Sequence, residues 1–338
     1  MTRIADQPSS LERTVGSRRA TSTKNGAAWP LPALQVGVVG LGHMGGAFAR
    51  NLLGDGLRVL AFDRDPARLS ALEKQGAYAA AGMTDLSTCD IVVSSLPDDR
   101  ALQAVALDAG GLVDSMRKGA IHVSMSTISP ELSRRLAQEH AARHQGYVAA
   151  PVLGNPDLTR GRKLFVLAAG LANTIEQVKP VLDRLGQRIF VISEDPSAAN
   201  LMKLAGNVLT ATTLESMGEV LALLRKGGVD QQVAFEVLTN SLFDGKVHKT
   251  YGGKILDERY SPPGMTVPLA VKDLRLALAA AEQEAVPMPS ASLVHDRLVG
   301  VMARGWADLD WSALGLLAAR DAGLASNFLE SRHTEAKP

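Results

Sequence analysis

The sequence predicts an α/β chain in two parts: a mainly parallel sheet domain, followed by an all-helical domain, the two joined by one long helix. Three observations carry this expectation. Short runs rich in Val and Ile, at 36–39, 58–62, 91–95, 121–124, 147–152, 164–168 and 189–192, alternate with helix-like stretches, the pattern of right-handed βαβ units. After Ile192 the strand signal stops. Residues 197–226 then read as a single helix, opened by Ser197 as N-cap and closed by Gly227-Gly228, with further helical stretches at 231–240, 268–285, 290–304 and 311–322. At 338 residues the chain exceeds one ordinary core, and the expected division is 34–196 for the sheet domain and 197–338 for the helical one.

Composition narrows the function classes. Apolar residues make up 46% and charged residues 21%, which excludes global disorder. Basic and acidic residues number 36 and 35, so no general field attracts a polyanion, and nucleic acid is not an expected partner. Cys89 stands alone, excluding an intrachain disulfide or a cysteine-based zinc cluster. The apolar runs fall far short of the roughly 20 residues of a membrane span, and a cytoplasmic location is expected. Residues 1–33 are rich in Ser, Thr, Arg and Ala, without periodicity. They lack the apolar stretch of a secretory signal and are expected to form a disordered tail.

Gly40-Leu41-Gly42-His43-Met44-Gly45 is a GxGxxG that follows one expected strand and opens a helix. Gly40 permits the tight turn, Gly42 lets backbone amides approach a pyrophosphate, and Gly45 lets helix and strand pack closely, with the helix N-terminus facing the phosphates. His43 fills a variable position. This is the signature of a Rossmann-type domain. Asp63 ends the second strand, where a carboxylate accepts from ribose hydroxyls and repels a 2′-phosphate. Arg64 and Arg68 oppose that repulsion. NAD is the expected cofactor, with NADP as the alternative.

The 197–226 helix is apolar around most of its circumference, through Leu201, Met202, Leu204, Ala205, Val208, Leu209, Leu214 and Met217, and such a helix is expected to be buried. Asn200, Lys203, Asn207 and Thr210 form one polar stripe on it. Lys203 and Asn207, four apart, project from one face. A buried lysine is rare unless paired or functional, and the residues alone leave both readings open.

The chain resembles the β-hydroxyacid dehydrogenase family, which includes 3-hydroxyisobutyrate dehydrogenase and tartronate semialdehyde reductase and is related to 6-phosphogluconate dehydrogenase. The resemblance rests on Val38 through Gly45, Ser95-Leu96-Pro97-Asp98, Ser124 through Pro130, Ala150-Pro151-Val152-Leu153-Gly154, Lys203 to Asn207, and Lys272-Asp273-Leu274. It implies that Lys203 is the general acid and base of hydride transfer between a small hydroxy acid or alcohol and its aldehyde or ketone. By the same resemblance Ser126, Thr127, Gly154 and Asn207 meet the substrate. Leu96, Pro97, Ser126 and Lys272 join the glycine loop, Asp63 and Arg64 at the cofactor, and the protein is a homodimer or homotetramer. Burial and the charge of Lys272 are both expected to lower the Lys203 pKa toward neutrality.

Three departures from the family pattern stand out. Leu153 and Asn155 replace a Ser and a Gly of its usual Pro-Val-Ser-Gly-Gly turn, Gly206 stands where many members carry an amide, and Ser197-Ala198-Ala199 replaces glycines before the lysine. Leu153 and Asn155 are expected to weaken recognition of a simple hydroxy-carboxylate and to favour a bulkier or less acidic carbonyl compound. Ser129-Pro130 reads as the N-cap and N1 of a helix over 131–144. On that helix His140 and His144, beside Glu139, read as a solvated face rather than a metal site, so no metal is expected. Two alternative functions remain: imine reduction, and a non-catalytic cofactor-binding interaction module.

Overall fold

The computed structural model describes residues 34–335, and the expected tail at 1–33 lies outside the described residues. In chain order the first part contains β1 (Gln35–Val39), α1 (His43–Gly54), β2 (Arg58–Phe62), α2 (Pro66–Glu73), β3 (Tyr78–Ala79), β4 (Ile91–Ser94), α3 (Asp99–Ala106), α4 (Leu112–Ser115), β5 (Ile121–Ser124) and α5 (Pro130–Ala142). It continues through β6 (Gly146–Ala149), β7 (Val152–Leu153), α6 (Pro156–Arg160), β8 (Leu164–Ala169), α7 (Ala172–Leu182) and β9 (Gly186–Ser193). Helices follow: α8 (Ser197–Lys226), α9 (Gln231–Thr239), α10 (Lys246–Leu256), α11 (Val267–Gln283), α12 (Pro289–Ala303), α13 (Ala313–Asp321) and α14 (Asn327–Glu335).

The strands form one sheet in the order β3-β2-β1-β4-β5-β6-β8-β7, with β9 also on β8. Pairing is parallel from β3 to β6 and between β8 and β9, and antiparallel where β8 meets β6 and β7. The run at 147–152 forms two strands rather than one. Pro151 interrupts it, having no N–H for a ladder, while its carbonyl accepts from Leu167 N at 2.9 Å. Val36, Val38, Val59, Val93 and Val123 are buried on one face against Phe48 and Leu52 of α1, and Val39, Val92 and Leu167 on the other against Leu132 and Leu136 of α5. A separate cluster holds the helical part together through Leu214, Leu274, Leu298, Trp311 and Leu314.

Helix α8 spans the expected residues, with two differences. Asp195, not Ser197, serves its N-terminus, accepting from Ser197 N at 2.9 Å and Ser197 Oγ at 2.7 Å. Nor is it buried all round. Leu209 is 69% and Leu223 71% exposed, and Leu201 and Met202 are also exposed, because the elements packed on it, chiefly α13, α11 and α10, cover only part of its circumference.

Helix α5 is capped as expected, Ser129 Oγ accepting from Leu132 N at 3.1 Å. The solvated face does not hold for His140, which is fully buried. Gln145 Nε2 donates to the carbonyls of Met116 (2.6 Å) and Val113 (3.1 Å), so its Oε1 accepts from His140 Nδ1 at 2.7 Å. The tautomers then follow in sequence: His140 Nε2 accepts from His122 Nδ1 at 2.9 Å, and His122 Nε2 accepts from Ser94 Oγ at 2.8 Å. Burial holds both imidazoles below the ordinary histidine pKa, His140 at about 4. Among the described residues no cluster of three or more His, Cys, Asp or Glu is arranged for a metal ion, and no helix is long and apolar enough to cross a membrane.

Candidate active site

The glycine loop joins β1 to α1. Gly40 has φ +86°, a conformation L side chains rarely adopt, and its N–H donates to Phe62 O at 2.9 Å, tying the loop to the end of β2. A Cβ on Gly45 would lie 1.9 Å from Gly40 O, so close packing alone requires glycine there. Gly42 differs: its nearest neighbour would be an Arg68 guanidinium nitrogen at 3.9 Å, so nothing in the chain demands its missing side chain. Helix α1 starts at His43, which is exposed, with no side-chain cap and no acidic residue in the first turn. Uncapped amides facing open space fit a pyrophosphate.

Asp63 sits at the edge of that space with both carboxylate oxygens engaged. Oδ2 accepts from Leu41 N at 2.5 Å and Oδ1 from Asp65 N at 2.8 Å. Arg68 lies 3.9 Å from Asp63 and 3.2 Å from Asp65, so two carboxylates share its charge. Arg64 is exposed.

The loops after β4 and β5 meet side by side at the carboxyl end of the sheet, where an open α/β sheet places its ligand cleft. Ser126 Oγ accepts from Leu96 N at 2.9 Å and binds one loop to the other. From the helical part, Lys272 of α11 reaches across to both, donating to Thr127 O at 2.7 Å and Pro97 O at 2.9 Å.

Lys203, Asn207 and Asp273 complete the arrangement. Lys203 Nζ donates to Asn207 Oδ1 at 3.0 Å, and Asn207 Nδ2 donates to Asp273 Oδ2 at 2.5 Å. The Lys272 ammonium lies 2.8 Å from Asp273 Oδ1, though poorly aligned for a hydrogen bond. Lys203 is buried, and that burial lowers its pKa to about 8, with the charge of Asp273 opposing the shift and that of Lys272 adding to it. Asn200, fully buried one turn earlier, donates weakly to Ser126 O at 3.4 Å and leaves its Oδ1 with no partner. A buried acceptor left open is costly unless something binds it, and here it lies on the same helix face as Lys203.

The segment after β6 differs from the sequence expectation. Gly154 has φ +147° and its missing side chain would strike Leu164 Cδ2 at 2.4 Å, so its glycine is accounted for by backbone and packing. Asn155 adds no bulk at a bare turn. Its Oδ1 caps α6, accepting from Leu158 N at 3.0 Å. Leu153 points at α8, its Cδ2 3.0 Å from where a Cβ on Gly206 would be. Asp273 is the residue that sequence reasoning missed: it stands in the Lys272-Asp273-Leu274 motif without a role of its own, and its burial shows only in the fold.

Residues 35–193 match the NAD-binding domain of 6-phosphogluconate dehydrogenase, and residues 197–317 match the NAD-binding region of NADP-dependent 3-hydroxyisobutyrate dehydrogenase. A 3-hydroxyisobutyrate dehydrogenase of Pseudomonas aeruginosa is 30% identical over 277 residues, 77% of this chain and 90% of that protein. The chain belongs to the 3-hydroxyisobutyrate dehydrogenase family. An uncharacterised oxidoreductase of Bacillus subtilis is 36% identical over 282 residues, covering 83% of this chain and 98% of the relative. The solved structure of a 3-hydroxyisobutyrate dehydrogenase from Salmonella typhimurium superposes with a TM-score of 0.76 at 27% identity, over 84% of this chain and 99% of that one. As a 3-hydroxyisobutyrate dehydrogenase-like enzyme, the protein is an NAD(P)-dependent oxidoreductase acting on the CH–OH group of a small molecule.

Proposed function

We propose that this enzyme interconverts a small hydroxy acid or alcohol with its aldehyde or ketone, preferring NAD, with Lys203 as general acid and base. One observation carries the reading: a buried ammonium, held by Asn207 and lowered to about pKa 8, on the helix face that also bears the open Asn200 acceptor. The cofactor supplies or accepts the hydride when bound. The amides of the loop from Gly40 to Gly45 would hold its pyrophosphate, and Leu96, Pro97 and Lys272 border it. Ser126, Thr127, Gly154 and Asn207 border the substrate.

In reduction, protonated Lys203 hydrogen-bonds the carbonyl oxygen and gives up its proton as charge develops there. In oxidation the neutral amine takes the hydroxyl proton. An ordinary lysine, with a pKa of about 10.4, holds its proton too firmly for both roles near neutrality, whereas a group near 8 populates both forms. Asn207 accepts from the ammonium and fixes its direction. The preference for NAD follows from the Asp63 carboxylate, which repels a 2′-phosphate while Arg68 is already shared between Asp63 and Asp65. The exposed Leu201, Met202, Leu209 and Leu223 of α8 support a homodimer or homotetramer; light scattering that finds a monomer removes that part.

Lys203→Ala tests the assignment. Turnover should fall by about 10²–10⁴-fold while NADH still binds, as followed by its fluorescence. Near-normal turnover overturns it.

A further inference from the structure

We propose that Leu153 and Gly206 form a coupled pair that selects the substrate class: a carbonyl compound carrying a hydrocarbon substituent on the side that faces β7, in preference to one carrying a carboxylate or hydroxyl there. This rests on the proposed role of Lys203 and says what lies beside it. Gly206 is on α8, three residues after Lys203 and next to Asn207, where Lys203 and Gly206 share a helix face. Its Cα is bare, and the space its side chain would take is held by Leu153, whose Cδ2 is 3.0 Å from that Cβ position. A side chain at 206 therefore requires the end of Leu153 to shift, and more so the larger that side chain is.

The wall continues along the sheet. Leu153 pairs with Phe165 across the antiparallel β7–β8 ladder, so the two side chains stand on one face, roughly 5 Å apart at Cβ. The Phe165 ring is covered by the Lys246 ammonium at 5.0 Å from its centroid. Leu153 and the Phe165 ring offer carbon and no donor.

Two polar side chains of the site are already engaged and a third is an acceptor, while the exposed Lys246 ammonium over the Phe165 ring is the cation near this wall. Lys272 is engaged by Pro97 O, Thr127 O and Asp273. Asn207 is used at both ends, by Lys203 and Asp273. The open group, Asn200 Oδ1, is an acceptor, which a carboxylate cannot satisfy. A carboxylate placed against Leu153 would lose its water and gain no hydrogen bond from Leu153 or Phe165, whereas a methylene gains from leaving water.

The test uses the intact enzyme with NADH and two series: butanal, hexanal and phenylacetaldehyde against glyoxylate and succinic semialdehyde. The alkyl series should rise in kcat/KM by about fourfold per added methylene until the wall is filled. Leu153→Ser should lower the alkyl-to-acid ratio by at least about tenfold. Gly206→Asn alone should lower the thermal midpoint and activity on every substrate, because the new side chain meets Leu153. Adding Leu153→Ser to it should restore the midpoint and leave an enzyme that favours the acids. An unchanged ratio in Leu153→Ser, or midpoints that simply add, overturns the pair. An enzyme that binds NADH and reduces none of the aldehydes overturns the proposed function and the substrate class with it. Activity without an alkyl preference overturns only the inference.

Discussion

The Asn207 amide donates to the Asp273 carboxylate at 2.5 Å. That bond joins α8 to α11 and places the two lysines of the site, Lys203 and Lys272, on either side of one buried anion. Without Asp273 the site would bring two cations together out of water, which costs far more than holding either beside a counter-charge.

Asp273→Asn should act through Lys203. Its charge favours the protonated lysine, so removing it lowers that pKa further, and the alkaline limb of reductive kcat/KM should move to lower pH. Reduction at pH 8 is expected to fall several-fold, and oxidation less, since the proposed oxidation uses the neutral amine. A purely structural role for Asp273 would lower both directions equally without moving the limb.

Cofactor choice is read by kinetics with both dinucleotides. NADH is expected to give the higher kcat/KM, and Asp63→Asn to narrow that preference by about tenfold, equivalent to about 1.4 kcal/mol of lost repulsion. A native preference for NADPH would mean that Arg64 and Arg68 outweigh the carboxylate.

Acid should unfold this protein partly through His122 and His140. Both have folded-state pKa values below the ordinary histidine value of 6.5, His140 at about 4. Between those limits the unfolded chain binds protons that the folded chain refuses, so stability is complete above about pH 6.5 and falls as pH drops toward 4, by up to about 1.4 kcal/mol per pH unit for each histidine. Denaturant titrations from pH 7 to 4.5 check this. His140→Gln should start less stable at pH 7 and show a shallower pH dependence, and an unchanged slope would place the acid sensitivity elsewhere.

Local pattern alone was enough for much of the fold. Alternating Val/Ile runs and helical stretches marked the long strands and α8, because a buried parallel strand must be apolar along its length and a helix end must satisfy or release its backbone groups. The helix α10 was not legible. Its Gly252-Gly253 lowers helix propensity, yet a Cβ on Gly252 would lie 2.7 Å from the Met217 methyl, so packing against α8 favours the residue that propensity disfavours.

The site divides the same way. The sequence by itself determined the glycine loop, the acidic end of β2, and a lysine and an asparagine on one helix face, since each depends on spacing within one element. Only the tertiary structure decided that Asp273 is the shared counter-charge, that His140 is buried in a hydrogen-bonded chain with His122, and that Leu153 fills the space above Gly206. These relationships join residues 18 to 66 positions apart or face each other across separate elements, and no local periodicity records which of two distant side chains will share a cavity, a proton or a charge.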